Sequence, residues 1–251
     1  MCRSIMRRFL LLCLVLYCCL LAPSYATADP EYETHPAPQN ILFVGNSFTY
    51  FNNSLHGHLR KLLAAEDPST RETMFLKAMT ISGGVLANHE SGLSQMLKTY
   101  SWDVVVLQGH SLEAVDPEKR PGLKAAATQF TGMIREHGAE PVIFMTWAYS
   151  DRPEMTAALR TSYTQLGNEL GVRVAPVGLA FADALQGDTN LTLHSPDTIH
   201  PSPAGTYLAA CVFYATLFGK SPAGIAYTAG LDDDLALILQ QSAWRTVSRN
   251  L

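Results

Sequence analysis

The sequence predicts an α/β fold in which a parallel sheet of about five strands is covered by helices on both faces. Short apolar runs rich in β-branched residues recur along the chain, as expected of buried strands. Stretches with the periodicity of amphipathic helices lie between these runs. Strands that alternate with helices of this length pair in parallel through crossover connections, which gives a three-layer α/β/α sandwich.

Five segments are predicted to be strands and six to be helices. The predicted strands span residues 41–44, 74–78, 104–107, 142–146 and 172–177. The predicted helices span residues 54–65, 89–99, 122–137, 154–170, 204–217 and 231–244. Ser202 and Pro203 supply a capping hydroxyl and a first-turn proline for the fifth helix. In such sheets the ligand site lies beyond the carboxyl ends of the strands, so residues that follow strands are the first candidates for chemistry.

The first 28 residues have the pattern of a secretory signal peptide. Arginines at positions 3, 7 and 8 precede an apolar run over residues 9–22, and Ala26, Thr27 and Ala28 form a cleavage pattern. The apolar run has about fourteen residues, whereas a helix needs roughly twenty to cross a bilayer. Cleavage after Ala28 is therefore favoured over a retained anchor. We expect an exported protein, periplasmic or secreted, without stable membrane insertion after cleavage.

The rest of the chain is predicted to form one domain over residues 40–251, which an extended leader over residues 29–39 precedes. Three of the 18 basic residues and none of the 22 acidic residues lie in residues 1–28. Removal of that segment would change the net charge from −4 to −7 with histidines neutral. Nucleic acid is excluded as an expected partner, because phosphate binding needs a cationic patch. The oligomeric state is not predicted.

Cysteine usage excludes two kinds of site. Four of the five cysteines lie in the predicted signal peptide, and Cys211 alone remains. An internal disulfide and a cysteine zinc site are then impossible in the processed chain. Cys211 lies in an apolar stretch, where a buried inert thiol is favoured over a nucleophile.

A serine follows the first predicted strand in the sequence Gly45-Asn46-Ser47-Phe48-Thr49. A serine on such a turn is exposed to substrate and lies close to backbone N–H groups that can hold an oxyanion. The alternative is a strand-to-helix turn in which Ser47 only caps the helix. A partner for the hydroxyl is needed to decide between them.

That partner is predicted in Asp197-Thr198-Ile199-His200-Pro201, a proline-flanked loop. The spacing allows the Asp197 carboxylate to reach Nδ1 of His200, so that Nε2 can take a proton from a serine and return it to a leaving group. The alternative is a surface pair of aspartate and histidine in a turn.

Together the two motifs resemble the first and last sequence blocks of the SGNH (GDSL-like) hydrolase superfamily, with Gly-Asn-Ser-Phe-Thr where many members have Gly-Asp-Ser. The resemblance implies a flavodoxin-like sandwich over residues 40–251. It also implies that Ser47 is the nucleophile, His200 the base and Asp197 the residue that orients the base. The backbone N–H of Ser47 is then one oxyanion donor.

The second and third blocks of the family supply the other oxyanion donors. Gly83, in the loop after the second strand, matches the glycine of the second block, with Gly84 as the alternative. The third block departs from the pattern, because Gln108-Gly109-His110 stands where the family has Gly-x-Asn-Asp. The Gln-Gly pair resembles carbohydrate O-acetylesterase branches, in which the glutamine amide donates. His110 occupies the asparagine column and is the alternative donor, and a purely structural Gln108 is another.

These residues predict a serine esterase that hydrolyses acyl esters, with preference for O-acetyl esters on a small molecule, a saccharide or an envelope glycan. The mechanism implies no metal and no organic cofactor. One alternative is a lipase or thioesterase acting on longer acyl chains, and another is a non-catalytic glycan-binding protein on the same fold. Trp147 and Tyr149 follow the fourth strand, where they could stack on a sugar ring or pack in the core.

Overall fold

The computed structural model describes residues 37–188 and 190–249. The predicted signal peptide and most of the predicted leader lie outside the described residues. Within them, no helix is both long enough and apolar enough to cross a membrane.

The described residues form one five-stranded sheet in which all neighbouring strands are parallel. The strands are β1 (Asn40–Gly45), β2 (Phe75–Thr80), β3 (Val104–Leu107), β4 (Glu140–Phe144) and β5 (Arg173–Ala175). Their order in the sheet is β2-β1-β3-β4-β5. The predicted fold class is confirmed: an all-parallel sheet lies between helices in a three-layer sandwich.

Strand order reverses between β1 and β3, and this reversal determines where the site lies. The chain passes from β1 outward to β2 and then returns to β3 on the other side of β1. The last residues of the three strands are in register, since Gly45 pairs with Thr80 and Val44 pairs with Leu107. The loops after these strands therefore leave the sheet at one edge, at a topological switch point.

Nine α-helices and one 3₁₀ helix are present among the described residues. The α-helices are α1 (Ser47–Tyr50), α2 (Leu55–Glu66), α3 (Thr70–Thr73), α4 (Glu90–Thr99), α5 (Arg120–Glu136), α6 (Met155–Leu170), α7 (Val177–Gly187), α8 (Pro203–Phe218) and α9 (Asp233–Ser248), and the 3₁₀ helix is Leu86–His89. Helices α2, α7, α8 and α9 pack together as one layer, while α4, α5 and α6 form the other.

Helix α7 is the main element that the sequence does not predict. Its sequence is apolar on most sides, so a helical period is difficult to see beside the preceding strand. The predicted fifth strand extends to residue 177, whereas β5 ends at Ala175 because Pro176 interrupts it and precedes α7.

The helix that carries the chain away from the predicted catalytic loop is α8. Ser202 Oγ accepts a hydrogen bond of 3.1 Å from the backbone N–H of Gly205, and Pro203 is the first helical residue, as the sequence predicts. Helix α8 is apolar on all sides and packs on the sheet through Phe213, whose ring contacts Phe43 and Phe144 edge to face. Cys211 is fully buried in this helix, and burial raises the pKa of its thiol.

Candidate active site

Ser47 lies two residues after the end of β1 and is the first residue of α1. The preceding Asn46 caps this short helix, since its Oδ1 accepts a hydrogen bond of 3.2 Å from the N–H of Phe48. The backbone N–H of Ser47 has no acceptor among the described residues. The turn therefore presents a hydroxyl and an unpaired N–H on the same residue at the switch point.

His200 and Asp197 lie beside this serine, although 153 positions separate Ser47 from His200. His200 Nε2 is 2.9 Å from Ser47 Oγ, and His200 Nδ1 is 2.6 Å from Asp197 Oδ2. The side chains of His200 and Asp197 are 25% and 48% exposed, so the chain of contacts is open to solvent from the carboxylate side. A proton on Nδ1 would leave Nε2 free to accept the serine proton.

A tight turn over residues 197–200 places the Asp197 carboxylate beside the His200 ring. Asp197 Oδ1 accepts hydrogen bonds from the backbone N–H groups of Ile199 and His200, at 3.0 and 2.9 Å. Thr198 lies between them with a φ of 68°, a left-handed conformation that is costly for a β-branched residue. Partial burial raises the pKa of Asp197, but hydrogen bonds from the His200 ring and from these two N–H groups lower it to about 2. The carboxylate is thus ionised at neutral pH.

The loop rests on a column of aromatic rings. Trp147 stacks between Phe48 and Phe181, with ring centroids 4.2 and 4.6 Å apart. Its indole N–H donates a 3.0 Å hydrogen bond to the carbonyl of Ile199. Trp147 is fully buried and Tyr149 nearly so, and the Tyr149 hydroxyl lies 2.7 Å from Ser111 Oγ. Of the two roles considered for these residues, packing in the core is the one that their burial favours.

Two residues after α1 also hold the histidine. The ring of Phe51 stacks on the His200 imidazole, with centroids 4.1 Å apart and planes 8° apart. Asn52, with a φ of 50°, donates through Nδ2 to the carbonyl of Pro201 and to Thr206 Oγ1, both at 2.9 Å. These contacts link the serine segment directly to the loop that carries His200.

Gln108 directly follows β3 and is fully buried. Its Oε1 accepts hydrogen bonds from the N–H of Asn46 and from Thr49 Oγ1, at 3.0 and 2.8 Å. Its Nε2 donates to Asn46 Oδ1 and to the carbonyl of Gly109, both at 2.7 Å. All hydrogen-bonding groups of this amide are in use, so the donor role expected from the sequence would require one of these N–H groups to be released.

The remaining oxyanion candidates lie in the loops after β2 and β3. Gly83 is exposed with a φ of 64°, and its N–H has no acceptor among the described residues. The N–H of Gly84 donates to the carbonyl of Ile81 at 3.0 Å, which favours Gly83 over Gly84. His110 is half-buried, and its Nδ1 accepts a 3.3 Å hydrogen bond from the N–H of Leu112. A neutral His110 ring therefore carries its proton on Nε2.

The close approach of Gln108 to β1 explains the glycine at position 45. A Cβ on Gly45 would lie 2.3 Å from Gln108 Oε1 and 2.6 Å from Thr49 Oγ1. Four hydrogen bonds hold Gln108, so its side chain cannot easily move away. We expect Gly45→Ala to lower the free energy of unfolding by about 1 to 3 kcal/mol and to lower turnover, measured by denaturant unfolding and an ester assay.

Gly57→Ala is the matched control for this prediction. Gly57 lies in α2, and a Cβ there would meet no atom within 4 Å. Alanine is favoured over glycine in a helix by roughly 0.5 to 1 kcal/mol, so this variant should be at least as stable as the wild type. Equal stability of the two variants would contradict the close packing inferred at Gly45.

Sequence reasoning missed Phe51 and Asn52 as parts of this site. The polar run Asn52-Asn53-Ser54 is the signal that could have found them, because asparagine is enriched at positive φ and all three residues are left-handed. The stacking of Phe51 on His200 had no such signal, because it joins segments about 150 positions apart. Across residues 37–188 and 190–249, no group of three or more His, Cys, Asp or Glu side chains is arranged to hold a metal ion.

Comparison with known proteins gives matches among solved structures. No protein-family model matches the sequence, and no curated protein matches it. A DUF4886 family protein from Bacteroides uniformis is 20% identical with a TM-score of 0.71, over 82% of this chain and 93% of that one. A candidate SGNH hydrolase from Slackia heliotrinireducens is 26% identical with a TM-score of 0.59, over 70% of this chain and 97% of that one.

An acetylxylan esterase from Geobacillus stearothermophilus is also similar in structure. It is 15% identical with a TM-score of 0.58, over 71% of this chain and 94% of that one. The likenesses below 25% identity show the fold alone. The chain therefore has the fold of the SGNH hydrolases. The Slackia protein, at 26% identity, also supports the superfamily resemblance that the sequence blocks carry.

Proposed function

We propose that this protein is a serine esterase that hydrolyses acyl esters through a covalent acyl-enzyme, with Ser47, His200 and Asp197 as the catalytic triad. The observation that carries the proposal is the continuous contact from hydroxyl to imidazole to carboxylate, at 2.9 and 2.6 Å. This arrangement matches the geometric requirement for an activated serine nucleophile. It uses residues from two distant parts of the chain, which a simple helix-capping serine would not need.

The chemistry follows from the proton positions. His200 Nε2 accepts the Ser47 proton while Oγ attacks the carbonyl carbon, and the tetrahedral intermediate collapses as His200 returns that proton to the leaving alcohol. Water then attacks the acyl-enzyme, gives a proton to His200 and releases the acid, after which the proton returns to Ser47. Asp197 remains ionised and stabilises the imidazolium that forms in each half of the cycle.

We assign oxyanion stabilisation to the backbone N–H groups of Ser47 and Gly83. Neither N–H has an acceptor among the described residues, and both groups follow strands that end at the switch point. Donors of this kind require no reorganisation when charge develops on the carbonyl oxygen. The buried amide of Gln108 supports these donors by fixing Asn46, and the Nε2 proton of a neutral His110 is the candidate for a third donor.

For the substrate, we propose an O-acetyl ester on a saccharide. The Gln108-Gly109 pair resembles the third block of carbohydrate O-acetylesterases, and an acetylxylan esterase is among the similar structures. The second candidate is an ester of a longer acyl chain. It is favoured by two exposed apolar side chains next to the site, Tyr50 and Ile81, which are 37% and 41% exposed.

The test combines labelling with a substrate panel. The purified protein is treated with a fluorophosphonate, and the modified peptide is identified by mass spectrometry. Acetate release from acetylated xylo-oligosaccharides is compared with hydrolysis of chromogenic acetate, butyrate and octanoate esters. We expect a single adduct on Ser47 and the highest kcat/KM on acetate esters.

Two other results would each support one of the alternative functions. Activity that rises with acyl length would support the lipase-like function and contradict the O-acetyl preference. Absence of both turnover and labelling would contradict the esterase and favour a non-catalytic binding protein.

A further inference from the structure

Glu113 is a buried carboxylate for which the mechanism above has no use. Its residue is 4% exposed, and it lies in the loop that follows β3. Among the described residues, no lysine, arginine or histidine forms an ion pair with it. Burial of a carboxylate is unfavourable unless it is hydrogen-bonded, and an apolar side chain of similar size would fill the space at lower cost.

The carboxylate joins the loops after β2 and β3. Glu113 Oε2 accepts a hydrogen bond of 2.6 Å from the N–H of His110 and another of 3.2 Å from the N–H of Leu86. Leu86 follows the loop that carries Gly83, and His110 follows Gln108 and Gly109. One oxygen atom therefore ties both loops together, through bonds that the negative charge strengthens.

Asn46 links the same two loops a second time. Its Nδ2 donates to the carbonyls of Gly84 and Gly109, at 3.1 and 3.4 Å. Asn46 supplies donors to two carbonyl groups, whereas Glu113 accepts from two N–H groups. The loop that bears Gly83 is thus held at Gly84 and at Leu86, both of which follow Gly83 within three residues.

We propose that Glu113 is a positioning residue that fixes the Gly83 N–H for the oxyanion of the reaction. This inference rests on the proposed esterase function. It places the effect of Glu113 in the transition state, because the Gly83 N–H interacts most strongly with the charge that develops there. Substrate binding before attack should depend on it little.

The test uses Glu113→Ala and Glu113→Gln with a chromogenic acetate ester. Alanine removes the acceptor, and we expect kcat to fall about 10- to 100-fold while KM stays within about threefold. The second-order rate of fluorophosphonate labelling should fall by the same factor, because that reaction also develops charge on an oxygen held by the oxyanion donors. Glutamine keeps one acceptor oxygen but not the charge, so Glu113→Gln should lower kcat and the labelling rate less than alanine does, by about three- to tenfold.

Glu140→Gln is the matched control. Glu140 is the first residue of β4, at the sheet edge opposite the site, and its carboxylate accepts hydrogen bonds from Arg173 Nε and Nη2, at 2.5 and 2.8 Å. We expect this change to lower the melting temperature without changing kcat or the labelling rate. A kcat effect specific to Glu113 then reflects positioning rather than general loss of stability.

Failure of the inference can be told apart from failure of the function. A wild-type protein with no turnover and no labelling would overturn both. An active wild type with an unchanged kcat in Glu113→Ala would overturn the positioning role alone. If Glu113→Ala does not fold, Glu113→Gln decides, because a melting temperature that falls while kcat and the labelling rate stay at wild-type values would also overturn it.

Discussion

Replacement of Ser47 by alanine is expected to lower turnover of an acetate ester by about 10⁴-fold or more and to abolish fluorophosphonate labelling. The change removes only one oxygen atom, which is the atom 2.9 Å from His200 Nε2. Without it no acyl-enzyme forms, and only the oxyanion donors and substrate binding remain to accelerate direct attack by water. Initial rates and mass spectrometry of the treated protein measure both effects.

Ser54→Ala is the control for this variant. Ser54 Oγ lies 2.7 Å from His56 Nδ1, so it is also a serine beside a histidine. Among the described residues, neither side chain forms a hydrogen bond with a residue of the triad or with a carboxylate. Burial lowers the pKa of His56. This disfavours the protonated imidazolium that forms when a general base accepts a proton. Turnover within about threefold of wild type is expected. Loss of labelling in this variant instead would disprove the assignment of Ser47.

Asp197→Asn should have the next largest effect, a fall in kcat of about 10³- to 10⁴-fold. Asparagine can keep its oxygen on the N–H groups of Ile199 and His200, which leaves its NH₂ group against Nδ1. A donor at that position favours the tautomer with the proton on Nε2, where His200 can no longer accept from Ser47. Steady-state kinetics of the purified variant measure the fall.

Asp103→Asn is the matched control at the opposite edge of the sheet. Asp103 Oδ2 accepts from the backbone N–H groups of Gln39 and Asn40, at 2.7 and 2.8 Å, so it resembles Asp197 in its backbone contacts. We expect it to retain wild-type kcat. If both aspartate variants lost activity equally, the role of Asp197 would be structural.

The same residue contributes a pH dependence of stability. The pKa of Asp197 is about 2 in the folded protein, below the usual value of roughly 3.9 in an unfolded chain. The stabilisation from its ionised form is therefore complete above about pH 4 and is lost as the pH falls toward 2. The stability difference between wild type and Asp197→Asn should shrink over that interval, as measured by denaturant unfolding at several pH values.

Much of the fold follows from local sequence. The β-branched runs before Gly45, Gln108 and Met145 are buried strands because both faces of a parallel sheet are covered. The cap at Ser202 is a local interaction, and the sequence predicts it. The sequence does not predict helix α7, because a helix that is apolar on most sides has no polar face from which a helical period can be recognised.

The residues of the site also fall into two groups, those that a local sequence motif reveals and those that only the fold brings together. Ser47 and His200 carry recognisable motifs, and the structure brings their side chains within hydrogen-bond distance. The contacts of Phe51 and Glu113 join separate loops, so they depend on how the strands are ordered rather than on any local pattern. The saturated hydrogen bonding of Gln108 also depends on such contacts, and the motif alone does not indicate it.

The mutual hydrogen bonding of Asn46 and Gln108 has a consequence for how this sequence departs from the Gly-Asp-Ser form of the first block. An aspartate at position 46 would direct oxygen atoms rather than an NH₂ group at the carbonyls of Gly84 and Gly109. Asn46 is also hydrogen-bonded to the glutamine sixty-two positions later, so a change at either residue leaves the other without its partner. An engineer who restores the common residue in one block should expect to redesign the other block at the same time.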